Sequence, residues 1–253
     1  MSDVSIKETF TLPSKGKLYG QEFNPKITLR SMVTMDELKR NSKYDTEFKV
    51  MSDVIEDCIE EKLPVHVYDM CIGDYQFLLH KLRLVTYGSE YNMYIQCPNC
   101  GKIVESKVQL DTLEVLEFDE EEVGKCREIT LPVSGKKVLL SFQTPRMLDN
   151  IKEKSKELER KNKDVLAMDY ELLFTAMSFI KEFDGRPMDE VRLEPIVRKL
   201  PLKDIKYLIQ KGDELNSKVG LDTSVIAKCP KCGYETVTTF LFGPQFWNPT
   251  FDN

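Results

Sequence analysis

Only two histidines, His66 and His80, occur in the 253 residues, and no apolar run approaches the eighteen or so residues that cross a bilayer. His80 sits beside Leu79 in a helical pattern, and neither histidine is nominated as catalytic. The phosphate-cradling Gly-x-x-x-x-Gly-Lys-Ser/Thr, the dinucleotide Gly-x-Gly-x-x-Gly and the nucleophile elbow Gly-x-Ser-x-Gly are all missing, which removes the usual signs of nucleotide and acyl-transfer chemistry. A basic excess is missing too. Lys and Arg number 36 against 42 Asp and Glu, and a net charge of −6 gives no overall pull toward nucleic acid or anionic lipid. The first ten residues are polar and mixed in charge, unlike a basic-then-apolar leader, so the expectation is a soluble protein made in a reducing cytoplasm. No stretch is low in complexity or rich enough in Pro and Gly to be a long linker. Carboxylates are abundant, but they follow the pattern of solvated helix faces and offer no acid/base pair.

With 41% hydrophobic residues the chain has enough apolar surface for a sizeable core. Its two parts read as a duplication. Thr11-Leu12-Pro13-Ser14-Lys15-Gly16-Lys17 aligns with Thr130-Leu131-Pro132-Val133-Ser134-Gly135-Lys136 at an offset of 119, and each run predicts a short opening hairpin continued by β-prone residues, 26–29 and 138–142. A helix follows each. Thr34 with Glu37 three residues on fits a capping box, and Thr144 before Pro145 fits a cap with proline at the first helical position; the second helix is expected to run as a charged, solvated arm to Lys163. Apolar helix faces come next, with Val50, Val54, Ile55, Cys58 and Ile59 in one part and Leu173, Phe174, Met177 and Ile180 in the other. A third helix in each part is expected to be capped by an aspartate, Asp74 and Asp204, and to end near a glycine, Gly88 and Gly220. The acidic run Glu114 to Glu122 reads as an exposed connector. The expected organisation is a first repeat over 1–118, a connector over 119–128 and a second repeat over 129–253, of α+β class.

From either glycine it is nine positions to a cysteine pair: Cys97-Pro98-Asn99-Cys100-Gly101 and Cys229-Pro230-Lys231-Cys232-Gly233. Two thiolates two residues apart face one ion when the intervening turn is tight, and a following glycine supplies a positive φ. Each pair is half of a tetrahedral site. The β-prone flanks place each at a hairpin tip, so that the two knuckles together make a split zinc ribbon with Cys97, Cys100, Cys229 and Cys232 as ligands. Closing the 129-residue loop from Cys100 to Cys229 costs roughly 4 kcal/mol, against on the order of 10–16 kcal/mol for a structural zinc. An intermolecular site between two copies, or reduced pairs without metal, are the alternatives. A thioredoxin-type role is disfavoured because neither pair sits at a strand-to-helix junction, and four thiolates leave no open position for zinc catalysis. Cys58 and Cys71 read as core residues, and Cys126 is unassigned.

The C-terminal stretch holds Phe240, Phe242, Phe246, Trp247 and Phe251, interrupted by Gly243, Pro244 and Pro249, and cannot be a regular helix. It either folds back over its own core or serves as a docking tail, in which case Phe242, Phe246, Trp247 and Phe251 bind a partner.

The opening Leu-Pro/Gly-Lys hairpin, the apolar helix, the run Asp74, Tyr75, Phe77, Leu78, Leu79, Lys81, Leu82 and Arg83, the Gly88-Ser89-Glu90 turn and the Cys97–Gly101 knuckle with its strand ending at Leu110-Asp111 resemble the T-even-type bacteriophage baseplate family, which includes the hub assembly protein of contractile tails. The resemblance covers roughly residues 8 to 160 and is best over 50 to 115. It implies a non-enzymatic protein of baseplate assembly that contacts other baseplate or tail proteins, with no small-molecule substrate and no membrane, located in the host cytoplasm during assembly and in the virion tail baseplate. A zinc-ribbon nucleic-acid-binding module is the alternative, with Lys102, Lys107, Lys228 and Lys231 beside the knuckles.

Overall fold

The computed structural model describes residues 5–42, 46–161, 170–239, 242 and 244–247. Lys163, Phe240, Gly243, Pro249 and Phe251, named above, lie outside the described residues. The class is α+β, with helices packed on small antiparallel sheets.

The N-terminal part runs β1 (Lys7–Thr11), β2 (Lys26–Arg30), α1 (Thr34–Arg40), α2 (Glu47–Cys58), α3 (Ile72–Tyr87), β3 (Glu90–Gln96), β4 (Ile103–Gln109) and β5 (Val115–Leu116). The rest runs α4 (Glu120–Arg127), β6 (Glu128–Thr130), β7 (Lys137–Leu140), α5 (Pro145–Lys161), α6 (Tyr170–Ser178), β8 (Ile180–Phe183), β9 (Arg186–Pro187), α7 (Glu190–Val197), α8 (Leu202–Asn216), β10 (Gly220–Leu221), β11 (Ser224–Lys228) and β12 (Glu235–Thr239). β1 pairs with β2, β3 with β4 and β11 with β12; β6, β7, β8 and β9 form one sheet in that order, and β5 pairs with β10.

The helix faces read from the periodicity are buried: Val54, Ile55 and Cys58 on α2, and Phe174 and Met177 on α6. Ile180 is buried as well, but on a strand, because α6 ends at Ser178 and the chain turns back through Asp184-Gly185, both at positive φ, to make the β8–β9 hairpin. At the start of α5 the Met147 N–H donates to Thr144 Oγ1 at 3.3 Å, the expected cap. The expected box at α1 is shifted. The helix begins at Thr34, so Val33 is the cap and Asp36 the third helical residue; Asp36 Oδ2 accepts from the Val33 N–H at 2.8 Å and is also held by Arg30, while Glu37 pairs with Arg40.

The two aspartates are also not caps. α3 and α8 begin at Ile72 and Leu202, so Asp74 and Asp204 stand in the third helical position, fully buried, and reach out of their helices. Asp74 accepts from the Ser14 N–H at 2.9 Å and from Tyr19 Oη at 2.6 Å. Asp204 accepts from the Val133 and Ser134 N–H groups at 2.8 and 2.9 Å. Each aspartate thus ties a long helix to the Leu-Pro turn of its own part. Leu12 and Leu131, which open those turns, are both 1% exposed.

The acidic run is exposed as expected but ordered. Val115 and Leu116 form β5, Asp119 accepts from the Glu121 and Glu122 N–H groups at the start of α4, and Val123 is buried. Gly88 caps α3, whereas Gly220 lies beyond the end of α8, in β10.

The apolar interior forms two main clusters, one around Ile27, Leu29, Val54 and Leu78 and one around Val138, Leu140, Phe179 and Leu208. Contacts between the two parts are reciprocal. After the first knuckle hairpin the chain crosses over, so that Leu116 pairs with Gly220 and Val115 with Leu221, and the Asp222 N–H donates to Glu114 O at 2.9 Å. After the second hairpin it crosses back: Phe246 and Trp247 belong to the first cluster. α5 adds Asp149, which accepts from the Lys49 N–H at 2.9 Å, the Phe48 N–H at 3.4 Å and Tyr68 Oη at 3.0 Å, and so caps α2 from the other part. Gly73 in α3 meets the backbone of Val219 so closely that a Cβ there would lie 2.0 Å from its carbonyl oxygen.

Candidate metal centre

Each cysteine pair closes a hairpin, with Gln96 opposite Ile103 in one and Lys228 opposite Glu235 in the other. The two tips repeat the same backbone bonds. The Cys97 N–H donates to Lys102 O at 2.9 Å and the Gly101 N–H to Cys97 O at 2.8 Å; Cys229 to Tyr234 O and Gly233 to Cys229 O are both 2.9 Å. Gly101 and Gly233 have φ of 68° and 72°, the left-handed region where a side chain is disfavoured. That conformation turns the chain back immediately after the second cysteine of each pair.

The four sulfurs lie within 4.8 Å of one another, with Cys97 Sγ to Cys232 Sγ at 3.6 Å and Cys100 Sγ to Cys229 Sγ at 3.9 Å. A tetrahedral zinc with Zn–S bonds near 2.3 Å sets an S···S edge of about 3.8 Å. The donor set and its spacing therefore fit such an ion. Ile95, Val104 and Ala227 form a small apolar cluster with Cys97 and Cys229, which are each 1% exposed. Asn99, inside the first pair, donates through Nδ2 to Cys232 Sγ at 3.6 Å across the interface. Its role was not read from the sequence, although its place between two ligands was a signal.

The two outer thiols are pushed in opposite directions by their surroundings. The backbone N–H of Tyr234, with Asn99 and the neighbouring thiols, brings the Cys232 thiol down to about 6. At Cys100 the Lys102 N–H acts in the same direction, but desolvation and the hydrogen bonds to the three other thiols prevail and push it up to about 11. A divalent cation would bind the four as thiolates, replacing their protons.

The other nominated residues fall elsewhere. Phe246 is fully buried and Trp247 is 5% exposed, both in the first apolar cluster, with Phe242 half-buried against Phe246 at a ring distance of 5.1 Å. Phe246 and Trp247 are thus packed into the chain's own core, the fold-back arrangement, while Phe242 keeps part of its surface. The bond that fixes them is Arg83, a 1% exposed guanidinium that donates to the carbonyls of Phe246 (3.1 Å), Glu90 (2.8 Å) and Gly88. Cys58 and Cys71 are buried core thiols, and Cys126 is half-buried beside Glu214. His80 is buried, bonds Leu110 O through Nε2 at 2.8 Å and is held down to about 4 by desolvation, so it is neutral at pH 7; His66 contacts Asp53 at 3.3 Å. Lys228 pairs with Glu235 at 3.3 Å. Among the described residues no helix is long and apolar enough to cross a membrane.

No curated protein and no solved structure matches the chain. A family model described as T4 bacteriophage base plate protein matches residues 4–246, which takes in both knuckles, both long helices with their buried aspartates, and the returning Phe246. The chain belongs to the T4 bacteriophage base plate protein family.

Proposed function

We propose that this protein is a structural or assembly component of the contractile-tail baseplate, in its hub or wedge, that works by protein–protein contacts and is locked by one structural zinc on Cys97, Cys100, Cys229 and Cys232. The observation that carries the reading is the gathering of four sulfurs from two hairpins 129 residues apart, Cys100 to Cys229, at zinc-like spacing, in a member of a baseplate family. Four thiolates fill a tetrahedral ion, so the metal has a scaffolding role and no position for substrate. Other baseplate or tail proteins are the partners, met in the host cytoplasm during assembly and held in the virion tail. Contacts made by the aromatic tail fall to the half-buried Phe242 and to Phe251.

The same reading makes the chain an internal duplication, with repeats over 1–118 and 129–253, a connector over 119–128 and a split zinc ribbon between them. Its support is pairwise. Asp74 and Asp204 hold equivalent turns, the two hairpin tips share their bonds, and each post-hairpin segment crosses to the other repeat.

Metal analysis of the purified chain tests this. One zinc per chain is expected, and Cys97→Ser and Cys229→Ser should each abolish all of it. Absence of metal, or loss of only part of it, overturns the shared site. A titration with DNA and RNA at two salt concentrations should show no tight, salt-dependent binding; its presence would favour a nucleic-acid-binding module instead.

A further inference from the structure

The four sulfurs are not equivalent in access. The leading cysteine of each pair, Cys97 or Cys229, is buried, whereas Cys232 is exposed and Cys100 is half-buried. The short separations join unlike members across the hairpins, Cys97 with Cys232 at 3.6 Å and Cys100 with Cys229 at 3.9 Å. Each cross-hairpin couple therefore contains one thiol that an external reagent reaches and one that it does not. That is the layout of an attacking thiol and a resolving thiol.

We propose that the centre, once stripped of metal, is a thiol–disulfide exchange site that accepts a small-molecule disulfide and closes as two bridges between the hairpins, Cys97–Cys232 and Cys100–Cys229. It rests on the zinc reading above only for the ion that guards the thiols beforehand. In the first step Cys232 gives its proton to solvent and its sulfur attacks one sulfur of the small disulfide, whose S–S bond breaks, and the released small thiolate takes up a proton. Cys97 then loses its proton to solvent and attacks the mixed disulfide at the Cys232 sulfur, and the second small thiol leaves and takes up a proton. Cys97 and Cys232 are oxidised by two electrons, and the small disulfide is reduced by two. Cys100 and Cys229 repeat the sequence with a second molecule. A coordinate clamp is thereby exchanged for a covalent one, which suits a protein assembled in a reducing cell and later exposed to an oxidising exterior.

The test uses the full chain. Its zinc is measured, the metal is removed with a chelator, and the protein is incubated with oxidised glutathione, alkylated, digested and mapped by fragmentation mass spectrometry. The free-thiol count should fall from seven to three, leaving Cys58, Cys71 and Cys126, and the cross-hairpin linkages should dominate. Cys97→Ser should trap a lasting glutathione adduct on Cys232, and Cys100→Ser should not. Bridges within Cys97–Cys100 and Cys229–Cys232, or lasting adducts on the unaltered chain, overturn the proposal; the map of the unaltered chain decides if a variant fails to fold. Zinc in the starting protein with bridges within the pairs refutes this exchange and leaves the metal reading standing. Cross-hairpin bridges in a chain that never held zinc do the reverse.

Discussion

Replacing Phe246 with alanine separates a core residue from a docking anchor. The ring is fully buried and packs against Tyr91, Phe242 and Trp247 at centroid distances of 5.9, 5.1 and 5.2 Å, at steep interplanar angles. Burial of about 150–200 Å² of aromatic surface at roughly 25 cal/mol per Å² is worth about 4–5 kcal/mol, and deletions of this kind cost about 3–5 kcal/mol when the cavity does not collapse. Collapse is hindered here because the Phe246 carbonyl is held by Arg83, so the backbone keeps its place while the ring is lost. The expected outcome in urea unfolding is a loss of about 3–5 kcal/mol, a large share of a stability that rarely exceeds about 15 kcal/mol. Arg83→Met should cost about 1–3 kcal/mol, since it leaves the buried Phe246 carbonyl without its donor, whereas the Glu90 and Gly88 carbonyls lie nearer the surface, where water can replace it. A Phe246→Ala protein that unfolds within about 1 kcal/mol of the parent, yet no longer binds other baseplate proteins, would refute the core assignment and restore the docking one.

The buried aspartates should respond to pH with opposite signs. Burial raises the Asp74 carboxyl, so its contribution to stability is fully present below the usual carboxylate range and is lost as pH rises through its raised native value. At Asp204 burial is outweighed by the Val133 and Ser134 N–H groups, its carboxyl is lowered, and its contribution is present at neutral pH and lost as pH falls through the lowered value. Asp204→Asn should therefore cost about 1.5–3 kcal/mol near pH 7 and progressively less in acid, while Asp74→Asn should cost less at pH 7; denaturation midpoints from pH 3 to 7 check this, and equal costs throughout would contradict it. Gly73→Ala should cost about 1–3 kcal/mol by pushing the Val219–Gly220 backbone off α3, measurable as a lowered melting temperature, and an unchanged one would mean that this seam yields freely.

The knuckles were legible because Cys-Pro-x-Cys-Gly encodes its own turn, and the buried faces of α2 and α6 were legible because periodicity reports burial directly. Asp74 and Asp204 were misread for a physical reason: an aspartate near a helix start is a cap or a reach to a distant backbone, and only the partner, 60 or 71 residues away, decides between them. The β8–β9 hairpin had its signal, Asp184-Gly185, but the apolar run through Ile180 outweighed it at helical spacing. Arg83 gave none, since a buried guanidinium satisfied by three carbonyls has the same sequence signature as a solvated one. The two crossovers likewise depend on contacts between segments far apart in the chain, which local pattern does not encode.

Those crossovers bear on how the protein is made. The interior that residues 5 to 110 assemble is sealed by Phe246 and Trp247, and its hairpin meets the facing cysteines only once Cys229 and Cys232 exist. During synthesis the leading portion keeps part of its apolar surface uncovered until the segment carrying Phe246 and Trp247 has left the ribosome. A product terminated before Phe246 would carry an open seam over the first apolar cluster, exposed to proteolysis.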